Sequence, residues 1–287
     1  MQEKVESFAF DSGSSSETPD LLYQYHALAD GVDGYAAVTE AQIDLFHEQG
    51  YLVIHNAFSP EEVQSALDGL LALIDGQNPA FTGIQFEAKA REMLSSLPQE
   101  QKQDLVRKLM HFVDYDARLK ALAEHPQLLG IVRRLLADTP VLSQDMALLK
   151  PPFIGREKPW HQDNAFFNLP SDTTVVAAWI ALDEAVPENG CMYIIPGSHR
   201  RGPVVHFQRR DWQICDTDVA VHEAIAVPLQ PGGCLLFHSL LHHGTPPSQS
   251  GRRRRALQYH YRPAGVTQIS QEERLAIFGS EGKDVTC

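Results

Sequence analysis

Six short apolar or alternating runs crowd the C-terminal half of the chain: VLSQDMALLK from Val141, TTVVAAWIALD from Thr173, CMYIIPG from Cys191, AIAVPLQ from Ala224, GCLLFHS from Gly233 and RRALQYHYRP from Arg254. Pro, Gly and Asn turn signals separate them. Runs of this length between such punctuation describe strands, because side chains alternate between two faces of a sheet and a strand covered on both faces reads as continuously apolar. A series of short strands has edges to hide, and a sandwich or a closed barrel hides them. The predicted fold is therefore mainly β, a sandwich or jelly-roll barrel, with helices packed outside it.

The helices come first in the chain. Thr39 and Gln42 match a capping box, Ile43, Leu45 and Phe46 follow at helical spacing, and Gly50 stops the run before a strand at Tyr51 to Ile54. Ser59-Pro60-Glu61-Glu62 opens a second helix, with Val63, Leu67, Leu70, Leu71 and Ile74 on its apolar face. Leu105, Leu109, Leu119, Leu122, Leu128, Leu129, Val132 and Leu136 extend the helical signature through about 86–137. Residues 1–20, Ser-rich and acidic, read as a disordered tail. The expected organisation is one domain over 21–287, helix-rich from 39 to 137, with a jelly-roll core from about 140 to 265.

Charge excludes some functions. With 24 Lys and Arg against 37 Asp and Glu, the net charge of −13 repels phosphate backbones and anionic membranes. Nucleic acid and membrane are not expected partners. There is no apolar run of about 18 residues and no signal-peptide pattern at the N-terminus, so the expected location is the cytoplasm. Cys191, Cys215, Cys234 and Cys287 show no CxxC spacing and read as reduced thiols.

Of the 13 histidines, His161 lies in His161-Gln162-Asp163. On a strand, positions i and i+2 share a face, so this imidazole and carboxylate would point to one place inside a barrel. The segment His238-Ser239-Leu240-Leu241-His242-His243-Gly244-Thr245 supplies a third group, a His at a strand end beside a tight Gly turn. Two His and one carboxylate with open positions suit non-haem Fe(II) that must also bind a co-substrate and oxygen. Alternation then sends Arg254 to one face of its strand and Arg253 and Arg255 to the other, and an inward Arg calls for a carboxylate such as one end of a dicarboxylate.

The ordered set HQD, AWIALD (Ala178 to Asp183), ENGCMYIIPGSH (Glu188 to His199), PGGCLLFHSLLHHGT (Pro231 to Thr245) and RRALQYHY (Arg254 to Tyr261) resembles the phytanoyl-CoA dioxygenase family of Fe(II)- and 2-oxoglutarate-dependent oxygenases, over roughly residues 40–265. The resemblance implies a double-stranded β-helix, a jelly-roll barrel with helices bracing one face, and His161, Asp163 and His243 as metal ligands, the distal His being His243 rather than His242 or His238. It implies Arg254 and Thr245 at the distal carboxylate of 2-oxoglutarate, Trp179 beside the co-substrate and Gln144 reaching the same pocket. Where the family usually has Gly-Asp before the distal strand, this chain has Gly232-Gly233, which puts a turn hydrogen bond in question.

The implied activity is hydroxylation or desaturation of an unactivated C–H bond of a small substrate, using O2 and releasing succinate and CO2. A full triad with Asp163 favours this over halogenation. Two alternatives stay open at this point: a zinc hydrolase, which leaves Arg254 unexplained, and a silent sensor that binds metal or 2-oxoglutarate. His238 and His242 are expected to make ordinary turn or core hydrogen bonds. Asn189-Gly190 and Pro196-Gly197-Ser198-His199 are expected to form turns, with no catalytic part for His199. The basic loop Arg200, Arg201, Arg209 and Arg210 reads as a solvated face that would attract an anionic substrate if it stood at the barrel mouth.

Overall fold

The structure is a computed structural model that describes residues 9–10, 20–92 and 98–279. Almost all of the expected tail, and Cys287, lie outside the described residues; Cys191, Cys215 and Cys234 are free and buried. No helix among the described residues is long and apolar enough to cross a membrane.

Each of the six runs contains a strand, and the strands sort into two facing sheets. The larger has nine strands in the order Ala9–Phe10, Ile84–Phe86, Val106–Met110, Pro140–Lys150, Arg254–Pro263, Val176–Ala181, Cys234–His238, Tyr51–His55 and Val32–Asp33. The smaller has five: Ala27–Leu28, Ile225–Val227, Met192–Ile194, His243–Thr245 and Lys158–His161. From Pro140 onward the chain crosses between these sheets at most steps; the exceptions are Met192–Ile194 and Ile225–Val227, which pair within the smaller sheet, and His206–Gln208 with Trp212–Ile214, which form a separate two-stranded hairpin. This is the jelly-roll arrangement expected from the strand pattern.

Period-two alternation divides the central strands of the larger sheet between two cores. Val176, Ala178 and Ile180 pack outward with Leu70, Leu119, Leu128 and Val132 of the helices, whereas Ala177, Trp179 and Ala181 pack inward. Leu257, Tyr259 and Tyr261 face outward in the same way and Ala256 inward. Coverage on both faces explains why Val176–Ala181 is wholly buried and reads as an unbroken apolar run. Tyr259 and Tyr261 also donate their hydroxyls to Leu119 O and Ala123 O, each at 2.7 Å, which satisfies carbonyls of the helix Ala117–Ala123 and pins it to the sheet.

The helix signals work locally. Thr39 N–H donates to Gln42 Oε1 at 3.1 Å to start Glu40–Gln49, and Gly50, at φ 81°, closes it in the left-handed conformation that favours glycine. Ser59 caps Pro60–Ile74. The helical reading of 86–137 holds over Ala117–Ala123 and Pro126–Leu136 but needs correction before them, because Val106–Met110 is a strand paired with Pro140–Lys150, and Ile84–Phe86 pairs with Val106–Met110 in turn. Leu105 and Leu109 have helical spacing, but the edge of the long strand pairs with this segment at Lys108, Leu109 and Met110. Tertiary pairing therefore overrides a short local pattern.

Candidate active site

Between the sheets lies a cavity of about 150 Å³ whose wall is built from the inward residues of several strands. His161 ends the strand Lys158–His161, and Asp163 opens a 3-10 turn, Asp163–Phe166, rather than continuing the strand as expected. The pleat nevertheless runs through Gln162, whose backbone is extended (φ −117°, ψ 131°), so His161 and Asp163 still point to one side. Gln162 points the other way. Its amide donates to Gly202 O at 2.9 Å and Leu240 O at 2.8 Å and accepts from Val204 N at 2.8 Å, which locks the segment.

His243 begins a strand, His243–Thr245, instead of ending one. Gly244 is there for close packing and not for a turn: a Cβ on it would stand 3.1 Å from Lys158 O and 3.2 Å from Trp160 N. Because His243 and His161 are direct partners in the antiparallel ladder, their rings lie side by side with centroids 4.2 Å apart. Asp163 Oδ1 is 3.3 Å from His161 Nε2 and 3.5 Å from His243 Nε2. All three residues are buried, and their ligand atoms lie within 4.8 Å of one another.

Backbone carbonyls set the tautomers. His161 Nδ1 is 2.7 Å from Pro159 O and His243 Nδ1 is 2.9 Å from Leu241 O, so each Nδ1 carries the proton and each Nε2 presents a bare lone pair. Burial, aided by His243 and Lys158, lowers the His161 pKa to about 4 and keeps the ring neutral. Burial alone would raise the Asp163 carboxyl, but the adjoining His243 and His260 rings hold it well below the usual carboxylate range. Two lone pairs and a carboxylate oxygen thus converge with no proton between them, which is the donor set of a divalent metal.

Two residues that sequence reasoning missed complete this end. His260 Nε2 lies 2.8 Å and Gln258 Nε2 3.2 Å from Asp163 Oδ2, so two donors hold one carboxylate oxygen and leave Oδ1 to the histidines. The signal was available, since residues 254, 256, 258 and 260 share one face of their strand.

The other end of the cavity belongs to Arg254, which is inward and buried as expected, while Arg253 pairs with Asp104 and Arg255 with Asp183 on the opposite face. Arg254 Nη1 donates to Leu148 O at 2.8 Å, its guanidinium carbon lies 5.5 Å from the centre of the Trp179 ring, and its Nε is buried without a partner among the described residues. Trp179 Nε1 is also a buried donor without a partner. Burial pulls Arg254 down to about 10. Thr245 and Gln144 line the same cavity. Thr245 Oγ1 accepts weakly from Lys158 N at 3.4 Å, and Gln144 lies opposite His260 in the ladder.

Other expectations divide. His238 Nδ1 accepts from Leu240 N at 3.0 Å, the turn role expected. His242 departs from expectation, for although its backbone N–H donates to Ser198 Oγ at 2.8 Å, both ring nitrogens are buried without partners among the described residues. Gly190 (φ 82°) and Gly197 (φ 74°) sit in the expected turns. Where Asp was expected, Gly233 N–H donates to Gln230 O at 2.9 Å and Gly232 N–H to Ala181 O at 2.8 Å, so backbone bonds close the turn. The basic loop is not one solvated face. Arg210 is buried, with bonds to Glu157 (2.5 Å) and to both oxygens of Asp216 (2.6 and 2.8 Å), while Arg201 pairs with Glu223 at the surface. None of the four loop arginines lines the cavity, whose cations are Arg107, Lys108, Lys150, Arg156, Lys158 and Arg254.

A model of the family described as Phytanoyl-CoA dioxygenase (PhyH) matches residues 46–256. The chain is similar to "Phytanoyl-CoA dioxygenase domain-containing protein 1" of Danio rerio, at 25% identity over 83% of this chain and 94% of that protein. It is also similar to "Phytanoyl-CoA dioxygenase" of Arabidopsis thaliana, at 29% identity over 80% and 90% of the two chains. Among solved structures, EctD from S. alaskensis with 2-oxoglutarate and 5-hydroxyectoine shares the fold, with a TM-score of 0.64 and 24% identity over 85% of this chain and 80% of that one.

Proposed function

Because this chain belongs to the phytanoyl-CoA dioxygenase family, we propose that it is an Fe(II)- and 2-oxoglutarate-dependent dioxygenase that hydroxylates or desaturates an unactivated C–H bond of a small anionic substrate, releasing succinate and CO2. The observation that carries the reading is a cavity with two complementary ends. At one, His161 Nε2, Asp163 Oδ1 and His243 Nε2 converge as bare acceptors. At the other, Arg254 and Trp179 present buried donors without partners. The first end asks for a cation and the second for an anion, and a 2-oxo dicarboxylate bridges them.

Iron with a bound 2-oxo acid supplies the oxidising power for the C–H bond when O2 enters. The chain's own residues position and exclude. His260 and Gln258 hold Asp163 so that one oxygen faces the histidines. Arg254, Thr245 and Trp179 hold the distal carboxylate, and Gln144 lines the wall of the same cavity. Lys108 and Arg156 add basic side chains to that wall, and Phe166, Phe167, Met110 and Met146 give it apolar surface. That combination favours a small substrate with a hydrocarbon part and an acidic group. A zinc hydrolase would use the same triad but has no need of a buried Arg254.

Anaerobic titration of the purified protein with Fe(II) and then 2-oxoglutarate tests the reading through the visible absorption band of the metal-bound oxo acid. The band is expected to saturate at one equivalent of each. Iron retention with no band on adding 2-oxoglutarate would refute the reading.

A further inference from the structure

Lys150 stands directly opposite Arg254. The two are partners in the antiparallel ladder between Pro140–Lys150 and Arg254–Pro263, and both line the cavity. They are 4% and 3% exposed. Residues facing each other across such a ladder have Cβ atoms about 4.5–5.5 Å apart, and like charges in that position are destabilising, more so away from water.

Neither residue meets a carboxylate among the described residues. Arg254 donates to Leu148 O, and Lys150 Nζ donates to Arg156 O. Two other cations on the same wall are paired, Arg107 with Glu87 at 3.3 Å and Lys158 with Asp211 at 2.7 Å. The Lys150 stem is given room, since a Cβ on Gly190 would come within 2.5 Å of Lys150 Cδ. Burial, with Arg254 and Arg107 nearby, draws the ammonium well below the usual lysine range, with Glu87 and Glu157 opposing. Two basic side chains buried face to face on a cavity wall make a strong site for an anion.

We infer that Lys150 and Arg254 form a two-cation clamp for the distal carboxylate of the 2-oxo acid, and that Lys150 thereby helps select a dicarboxylate over a monocarboxylic 2-oxo acid. This rests on the co-substrate reading above. Trp179, beside the clamp, adds a neutral donor. Such a site pairs charge-assisted bonds with a geometry that a ligand lacking the second carboxylate cannot use.

The test is calorimetry on the Fe(II)-loaded protein under anaerobic conditions with two probes: N-oxalylglycine, a stable dicarboxylate mimic of the oxo acid, and 2-oxopentanoate, which lacks the distal carboxylate. Lys150→Met should weaken N-oxalylglycine by roughly 30-fold or more, the low end of the cost of losing one partner of a buried charge contact, and leave 2-oxopentanoate unchanged. Lys150→Gln keeps a donor for the Arg156 carbonyl and carries the same comparison if the Met variant does not fold. Equal weakening of both probes, or no weakening of either, would overturn the role of Lys150. If Arg254→Met alone loses N-oxalylglycine, the clamp fails and the co-substrate reading stands. If neither substitution affects N-oxalylglycine, both fall together.

Discussion

Replacing His260 by Leu removes one of the two donors that hold Asp163 Oδ2 and leaves only Gln258 at 3.2 Å. The carboxylate is buried, so water cannot substitute freely, and its freed oxygen can turn toward the histidines or stay unsatisfied. A hydrogen bond to a charged group contributes about 1.5–3 kcal/mol. At 1.4 kcal/mol per tenfold, that predicts a loss of metal affinity of roughly 10- to 150-fold, consistent with the effect of losing an outer partner of a metal ligand, about 10- to 100-fold. His260→Gln, whose Nε2 reaches about as far as the imidazole Nε2, should recover most of the loss. The assay is competition between the protein and a chelator for Co(II), read from the ligand-field bands, with thermal unfolding of the metal-free forms as the control for folding. A Leu variant that folds normally and binds Co(II) with wild-type affinity and an unchanged spectrum would refute the reasoning. Failure of Gln to rescue a weakened site would point to packing against Phe167, whose ring is 5.0 Å from His260, as the contribution that matters.

Alanine at His161, Asp163 or His243 should abolish iron retention, measured by metal analysis after desalting, whereas His242→Ala should be mild because that ring makes no hydrogen bond and does not line the cavity. Arg254→Ala should weaken 2-oxoglutarate by roughly 2–5 kcal/mol and spare iron; a larger defect at Arg253 or Arg255, whose carboxylate partners lie on the other face, would contradict the strand register. Asp163→Ala should bind iron weakly and still bind 2-oxoglutarate through Arg254, and calorimetry with and without Fe(II) separates the two. Acid should destabilise the metal-free protein. His206 is neutral in the fold, accepting from Gln162 N at 3.0 Å, and burial lowers its pKa from 6.5 to about 3. Between those values the unfolded chain binds the extra proton, so stability falls as pH drops below about 6.5 and continues to fall toward 3. Denaturant midpoints from pH 7 to pH 4 should show this, and His206→Gln, which keeps an acceptor without a titration, should flatten the curve.

How much of the site could be read in advance depended on whether its cause was local. The ligands His161 and Asp163 are two residues apart, so the pleat alone aligns them, and it did so even though Asp163 lies in a turn. Arg254 was placed inward by the same rule, and its neighbours outward. His242 and His243 are both buried and adjacent, and nothing in their spacing says which of the two rings meets the cavity. Arg210 reads as one more charge in a basic loop, yet Glu157, far away in the chain, makes it a buried residue.

The sequence by itself determined the elements and their faces: strands from turn signals and two-residue alternation, helix ends from Thr39, Gly50 and Ser59, and the order His, Asp, His, Arg along the chain. These follow from backbone geometry acting over a few residues. Only the tertiary structure decided what each face meets. It turned Val106–Met110 into a strand by offering an edge, set His260 and Gln258 on Asp163, and put Lys150 opposite Arg254. Alternation says which residues share a face, but register between strands distant in the chain says which residues confront each other, and that register is settled by burial and backbone pairing over the whole barrel.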